Sequence, residues 1–319
     1  MSSYKQLVLS AAAMAVVGIA VPAGAQFLGK GDAMPVTAQK VPEAYWSGKP
    51  TKMTPYVAPN KPHWKLSEIL AAHRGKTDWV QPIVRNNEQD ADYISLGVGK
   101  STKRKMYADD RVVWIVQDGS MKVSIDGTEP FVATKGFMVN VPFRHFYSIE
   151  TVGDKPSLRF EVRQAGSPPL YPLTETPDAF PGKTYVKVTG TPGPGKDRDT
   201  NPIYVDFWKQ VANTDQPYNG KFVWDDHFTS NILRGKGQPI PPATNKGHFH
   251  VDWTEFWFVM EGKIGYQIEG VPYFEAEQGD VVAAIKGRWH RPSSAPDTPM
   301  STRIPFNPRP VILHNFATD

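Results

Sequence analysis

Two histidines and a glutamate lie close together in the segment GHFHVDWTEFWFVMEG, residues 247–262. Alternate side chains of a strand point to the same face, so His248 and His250 can reach one ion together. Glu255 begins the next apolar run, and a hairpin before it would bring its carboxylate back beside the imidazoles. His290 lies further along the chain. Three imidazoles and one carboxylate suit a first-row divalent transition metal and leave coordination positions for water or substrate.

The segments around these residues indicate short strands. The chain has 319 residues, and its 30 prolines and 26 glycines are typical of strands joined by turns. One β-rich region begins near Asp92 and a second near Phe222, and glycine closes most of their apolar runs. Many short strands with glycine turns predict a sandwich or a barrel rather than an α/β fold.

The two β-rich regions resemble each other. VVWIVQDGSMKVSIDG at residues 112–127 aligns with EFWFVMEGKIGYQIEG at residues 255–270, and Gly136 then aligns with Gly279. Both alignments have an offset of 143 residues. This internal repeat predicts two copies of one β domain.

The residues around the histidines also resemble a known family. The motif H-x-H-x4-E-x6-G starting at His248 resembles the first conserved motif of the cupin superfamily. The motif G-x7-G-x2-H ending at His290 resembles the second, with Ile285 where that motif often has proline. The resemblance covers roughly residues 222–300 and, through the repeat, about 92–165. It implies an all-β exported bicupin of two tandem jelly-roll barrels, with a metal site only in the C-terminal barrel.

The first copy lacks the ligands that the resemblance implies for the second. The offset places Lys105 and Tyr107 at the two histidine positions, Val112 at the glutamate position and Tyr147 at the last histidine position. None of these forms a plausible metal site. We therefore expect one divalent transition metal per chain, with iron favoured and manganese, nickel, copper or zinc as alternatives. The first barrel is predicted to be structural or to help shape the active pocket.

Three residues are candidates for the substrate pocket. Trp257 shares strand parity with Glu255, and Tyr266 lies on the next predicted strand. Arg288 lies two residues before His290, the last candidate metal ligand. Its side chain would either hold a substrate carboxylate or be a surface charge. The opposite parity predicts that Phe256 and other aromatic side chains pack against a second sheet or the other barrel. The remaining histidines are predicted to be hydrogen-bonded packing residues: His63, His73, His145, His227 and His314.

The motifs do not select one reaction, because cupins with this ligand set include several enzyme classes and non-catalytic binders. The leading hypothesis is an iron-dependent dioxygenase acting on a small aromatic or anionic organic substrate. One alternative is a decarboxylase, lyase or isomerase that uses manganese, nickel or zinc. Another is a non-catalytic periplasmic protein that binds a small molecule or a metal. Oxalate decarboxylases normally keep metal sites in both barrels, so the missing first site counts against that activity.

The N-terminus predicts export. Residues 7–21 are mostly apolar, and Ala23 and Ala25 form the A-x-A arrangement of a signal peptide cut after Ala25. We expect a periplasmic or secreted protein without a stable membrane span after cleavage.

The chain has no cysteine, which excludes disulfides and thiolate ligands. The net charge of +4 is scattered, so nucleic-acid binding is not expected. The resemblance also suggests a homodimer.

These observations divide the chain into five segments. Residues 1–25 form the signal peptide and residues 26–91 a proline-rich arm with a short helix. Residues 92–165 form the degenerate barrel, and residues 166–221 a linker with a short helix. Residues 222–319 form the metal-binding barrel and the C-terminal tail.

Overall fold

The computed structural model describes residues 45–190, 199–236, 247–295, 300–309 and 314–316. The predicted signal peptide, with its cut after Ala25, lies outside these ranges. Strands dominate the described residues, and two short helices interrupt them, α1 (Leu66–Ala72) and α2 (Phe207–Gln210). The prediction of an all-β fold is confirmed. Neither helix is long and apolar enough to cross a membrane.

The strands follow the short apolar runs of the sequence. In chain order they are β1 (His63–Trp64), β2 (Trp79–Arg85), β3 (Gln89–Leu96), β4 (Val112–Asp118), β5 (Ser120–Ile125), β6 (Phe131–Thr134), β7 (Phe137–Val141), β8 (Tyr147–Val152), β9 (Ser157–Gln164), β10 (Tyr204–Asp206), β11 (Tyr218–Trp224), β12 (Thr229–Gly235), β13 (His248–Phe249), β14 (Glu255–Glu261), β15 (Lys263–Ile268), β16 (Val271–Glu277), β17 (Val281–Ala284), β18 (His290–Ser294), β19 (Ser301–Asn307) and β20 (Asn315–Phe316).

These strands form two barrels, each made of two sheets. The first barrel combines a six-stranded sheet, β10-β7-β4-β9-β3-β2, with a three-stranded sheet, β6-β5-β8. The second combines a six-stranded sheet, β1-β17-β14-β19-β12-β11, with a five-stranded sheet, β16-β15-β18-β13-β20. The first barrel thus includes β2, which precedes residue 92, and β10 from the predicted linker. The second includes β1, which comes from the predicted arm.

The two barrels repeat each other in strand register. Val112 pairs with Val141 in the first barrel, and Glu255 pairs with Ala284 in the second, at the offset of 143 that the sequence shows. The pairs β4–β9 and β14–β19 also carry a register shift at the equivalent place. The internal repeat therefore corresponds to two copies of one structural unit.

The two six-stranded sheets share a hydrophobic core. Alternate residues of β14 point to opposite sides of the sheet. Trp257 faces the interior of the second barrel, whereas Phe256 and Phe258 belong to a cluster that both barrels contribute to. Phe258 stacks on Phe160 of the first barrel with ring centroids 5.5 Å apart. The shared core thus joins the six-stranded sheets of the two barrels.

The N-terminal segment from Tyr45 to Trp64 lies along the second barrel. Tyr45 Oη donates to Asn315 Oδ1 at 3.0 Å, and Tyr56 Oη donates to the carbonyl of Ala283 at 2.7 Å. β1 then pairs with β17 and extends the six-stranded sheet. The segment therefore forms part of the barrel that carries the candidate ligands.

Candidate metal centre

The four predicted ligands come from three strands of the second barrel. His248 of β13 pairs directly with His290 of β18, so their imidazoles lie on the same face of the sheet. His250 follows β13, and Glu255 is the first residue of β14. All four side chains are buried, and one ligand atom from each lies within 4.8 Å of the other three.

The distances between the ligand atoms fit a shared cation. His250 Nε2 lies 3.0 Å and His290 Nε2 3.2 Å from Glu255 Oε2. His248 Nε2 lies 3.1 Å from His290 Nε2 and 3.8 Å from the same carboxylate oxygen. Ligands about 2.1 Å from a metal are separated by ~3.0 Å at an octahedral right angle and by ~3.4 Å at a tetrahedral angle. Most of these separations are therefore those expected between ligands of one divalent transition metal.

Burial and hydrogen bonds together set the protonation of two of these groups. Burial and the neighbouring imidazoles lower the pKa of His248 to about 3, although Glu255 acts in the opposite direction. Burial alone would raise the pKa of Glu255, but hydrogen bonds with the three histidines outweigh it and hold that pKa well below its usual range. At neutral pH the site therefore presents a neutral His248 and an ionised carboxylate, the forms that bind metal ions.

The main chain fixes the orientation of the imidazoles. His290 Nδ1 donates to the carbonyl of Arg288 at 3.0 Å, which leaves Nε2 for a metal. The amide of Gly287 donates to the carbonyl of His250 at 2.7 Å and ties the two motifs together. Gly247 has φ +95°, and a Cβ there would lie 2.3 Å from the ring of Trp289. This glycine therefore permits the close packing beside His290.

Comparisons with known proteins address the fold. No protein-family model matches this chain, and no curated protein sequence matches it either. Among solved structures, a cupin 2 conserved barrel domain protein from Leptotrichia buccalis is similar over 77% of this chain and 96% of its own, with 12% identity and a TM-score of 0.51. The fold is that of a bicupin.

Oxalate decarboxylase structures from Bacillus subtilis are also similar. One, from a study of its Mn(II) centres, covers 81% of this chain and 79% of its own with 13% identity and a TM-score of 0.48. A mutant of the same enzyme gives the same coverage and identity with a TM-score of 0.49.

Aromatic side chains surround the ligands of the second cupin barrel. Trp257 contacts His290 with ring centroids 5.2 Å apart, and Tyr266 lies 5.5 Å from Trp257. Trp253, which follows β13, stacks on His250 at 4.9 Å. Trp257 and Tyr266 are thus placed beside the ligands, where their strand positions predict them, whereas strand parity gives no indication of Trp253.

Arg288 binds the main chain of two other segments. Its guanidinium donates to the carbonyls of Glu269 at 2.6 Å and Thr54 at 2.7 Å, and it lies 4.7 Å from the ring centroid of Tyr56. These bonds hold the N-terminal segment against the barrel, and the substrate contact of Arg288 stays a prediction. The alternative of a surface charge is wrong, since the side chain is buried.

The barrel interior contains a charged residue that the sequence analysis missed. Arg303 of β19 is 4% exposed, and neither its Nε nor its Nη1 has a hydrogen-bond partner in the described part of the chain. It pairs across the sheet with Val259, which faces the interior. Burial lowers the pKa of Arg303, while the nearby Tyr266 and Glu255 raise it. A polar residue at an inward position of STRIPFN is the signal that would have identified it.

His314 also lies beside the ligands instead of packing elsewhere. Its ring centroid is 4.4 Å from that of His248 and 5.3 Å from that of His250. β20 brings it there, since Phe316 pairs with His248 and Asn315 with Phe249. No spacing rule connects this C-terminal histidine to the two motifs, so only the pairing of β20 reveals its position.

Proposed function

We propose that the chain is a metal-dependent enzyme that acts on a small organic carboxylate in its second cupin barrel. The observation that carries the proposal is the buried set of three imidazoles and one carboxylate with the unpartnered guanidinium of Arg303 nearby. Buried guanidinium donors without hydrogen-bond partners are costly to keep, and a purely structural metal site would not require them.

Formal charges favour an anionic substrate. A divalent cation, the Glu255 carboxylate and the Arg303 guanidinium together carry a charge of about +2 in a buried site. A substrate carboxylate reduces this charge and supplies acceptors for the free donors of Arg303. Tyr266, whose buried hydroxyl has no partner among the described residues, offers another donor.

The chain's own residues would bind and shield the substrate. Arg303 and Tyr266 would orient its carboxylate, and Trp257 would limit its position relative to the ligands. Apolar side chains complete the wall and exclude water: Val259, Ile264, Ile268, Val282 and Ala284.

We propose iron-dependent dioxygenation as the reaction. Bound iron would supply Lewis acidity and the redox chemistry that activates dioxygen. The apolar and aromatic wall supports this choice, because it keeps water from a site where organic substrate and oxygen must meet. The reaction class rests on this wall and on the ligand set, and metal identity is the property that tests it.

The experiment measures metal content by mass spectrometry in protein purified without chelator, beside His250→Ala. About one iron per chain, lost in the variant, together with oxygen uptake on aromatic or keto acids, is the expected result. Manganese, nickel or zinc would instead favour a decarboxylase, lyase or isomerase. No metal in either protein would show that the four residues are a packing cluster.

A second variant tests the substrate assignment. Arg303→Gln should raise KM for a carboxylate substrate by about tenfold or more while the metal content stays unchanged, because a charged hydrogen bond to the substrate is lost. Arg74→Gln, at an exposed position of the chain, is the matched control. An unchanged KM in Arg303→Gln would remove this residue from the site.

Export and assembly are proposals as well. Cleavage after Ala25 would give a mature chain that begins at Gln26, which N-terminal sequencing of periplasmic protein would detect. A homodimer is proposed from the cupin fold, and light scattering of the purified protein would measure its mass.

A further inference from the structure

The first barrel holds a buried polar cluster where the second barrel holds its metal ligands. Lys105 pairs with Tyr147 as an isolated bridge, and His248 pairs with His290 in the same geometry. The offset of 143 residues relates the two pairs. Lys105 and Tyr147 therefore occupy the places of two metal-binding imidazoles.

Charged residues of β9 face the same interior. Arg159 and Glu161 pair across the sheet with Val116 and Trp114, which belong to the core of the first barrel. Arg159 Nε donates to Glu161 Oε2 at 2.8 Å, and both side chains are nearly inaccessible. The neighbouring Arg163 and Asp92 form a separate ion pair at 2.6 Å, and their opposite charges cancel.

The unpartnered atoms of this cluster are all donors. Tyr147 Oη, Trp114 Nε1 and Arg159 Nη1 are buried, and none has a hydrogen-bond partner within the described ranges. Lys105 is half-buried, and its ammonium makes neither a hydrogen bond nor an ion pair with any described residue. It lies 6.0 Å from the ring centroid of Tyr147. Buried donors without acceptors are costly and rare in native proteins.

The net charge of the cluster is positive. Lys105 and Arg159 contribute two positive charges and Glu161 one negative charge, which leaves +1 without a counter-ion. Burial lowers the pKa of Lys105 and Glu161 raises it. An ammonium, one guanidinium nitrogen, a phenol and an indole N–H together suit the charge and the acceptor atoms of a single carboxylate.

We propose that the first barrel binds a small organic monocarboxylate, without a metal, between Lys105, Tyr147, Trp114 and Arg159. The first barrel has the smaller Val112 where the second has Glu255, and the smaller Val123 where the second has Tyr266. The apolar part of the ligand would contact the rings of Trp114 and Tyr147, whose centroids lie 5.8 Å apart. The first barrel would thus have an anion site at the position where the second barrel has its candidate cation site.

The test is calorimetric titration of the full-length metal-loaded protein with acetate, pyruvate and benzoate, and with benzamide as the neutral counterpart of benzoate. At least one carboxylate should bind, and benzamide should bind roughly tenfold more weakly than benzoate. Lys105→Met should raise the Kd of the carboxylate roughly tenfold, and Tyr147→Phe, which removes a single oxygen, several-fold.

Control variants distinguish carboxylate binding in the first barrel from binding in the second. Arg303→Gln alters the second barrel and should leave this binding event unchanged. The metal content of Lys105→Met should stay at the wild-type value, which shows that the variant is folded. Failure of all three carboxylates to bind, equal binding of benzamide, or an unchanged Kd in Lys105→Met would overturn the assignment. Loss of binding in Arg303→Gln alone would place the carboxylate in the second barrel.

Discussion

Two arginines at equivalent places in the two barrels should respond in opposite ways to the same substitution. Arg159 and Arg303 both lie on the last long strand of their barrel and face its interior. Arg159 has the carboxylate of Glu161 at 2.8 Å. Pro305 occupies the corresponding place in the second barrel, so Arg303 has no carboxylate on its own strand.

Arg159→Met leaves Glu161 buried without its cation, which should lower the free energy of unfolding by about 3–5 kcal/mol. Arg303→Met removes two buried N–H groups that lack partners, each of which costs about 1–3 kcal/mol. Methionine keeps much of the side-chain volume, so Arg303→Met should raise the free energy of unfolding by about 2 kcal/mol.

Thermal unfolding of metal-loaded and chelator-treated protein measures both effects. About 1 kcal/mol shifts the Tm of a domain of this size by roughly 2–4 °C. Arg303→Met should therefore raise the Tm by several degrees and Arg159→Met should lower it by more. The gain in Arg303→Met should be larger with metal bound, since the metal and the guanidinium repel each other. A Tm that falls in Arg303→Met as far as in Arg159→Met would refute the reasoning, because Arg303 would then have a partner.

Three further predictions concern pH, the interface and a glycine. The folded protein holds the pKa of His248 at about 3, below that of the unfolded chain. The unfolded chain therefore takes up more protons, and the Tm of chelator-treated protein should fall as the pH drops from about 6 to 4. The fall in Tm should be shallower in His248→Gln, which lacks this titrating group. Phe258→Ala should cost about 3–5 kcal/mol, measured by urea unfolding, because it opens the core shared by both barrels; Val132→Ala on an exposed side chain should change stability by less than about 0.5 kcal/mol, and equal effects would contradict the shared core. Gly247→Ala forces a Cβ against a tryptophan ring and should weaken metal retention during dialysis, whereas Gly182→Ala, also at positive φ but with open space, should not; equal retention would show that this glycine does not position the ligands.

The fold was predictable because its signals are local and repeated. Short apolar runs closed by glycine predict strands, and the repeat at 143 residues predicts two copies of one unit. The four ligands were predictable because they lie at fixed offsets within two short motifs, and strand parity alone places Trp257 on the side of Glu255. These patterns depend on neighbours along the chain, and the structure brings all of these residues together.

Other features depend on contacts between distant segments. Arg288 lies two residues before a ligand in the sequence, yet its guanidinium binds the N-terminal segment at Thr54. His314 reaches the ligands only because β20 pairs with β13.

The sequence by itself determined the strand content, the duplication and the identity of the four candidate metal-binding side chains, since each follows from residue type and short-range spacing. The tertiary structure alone decided which charges are buried without a partner. Arg303 and the half-buried Lys105 are ordinary basic residues in the sequence. They become candidate anion-binding groups only when the barrels close around them and place no carboxylate within hydrogen-bond distance.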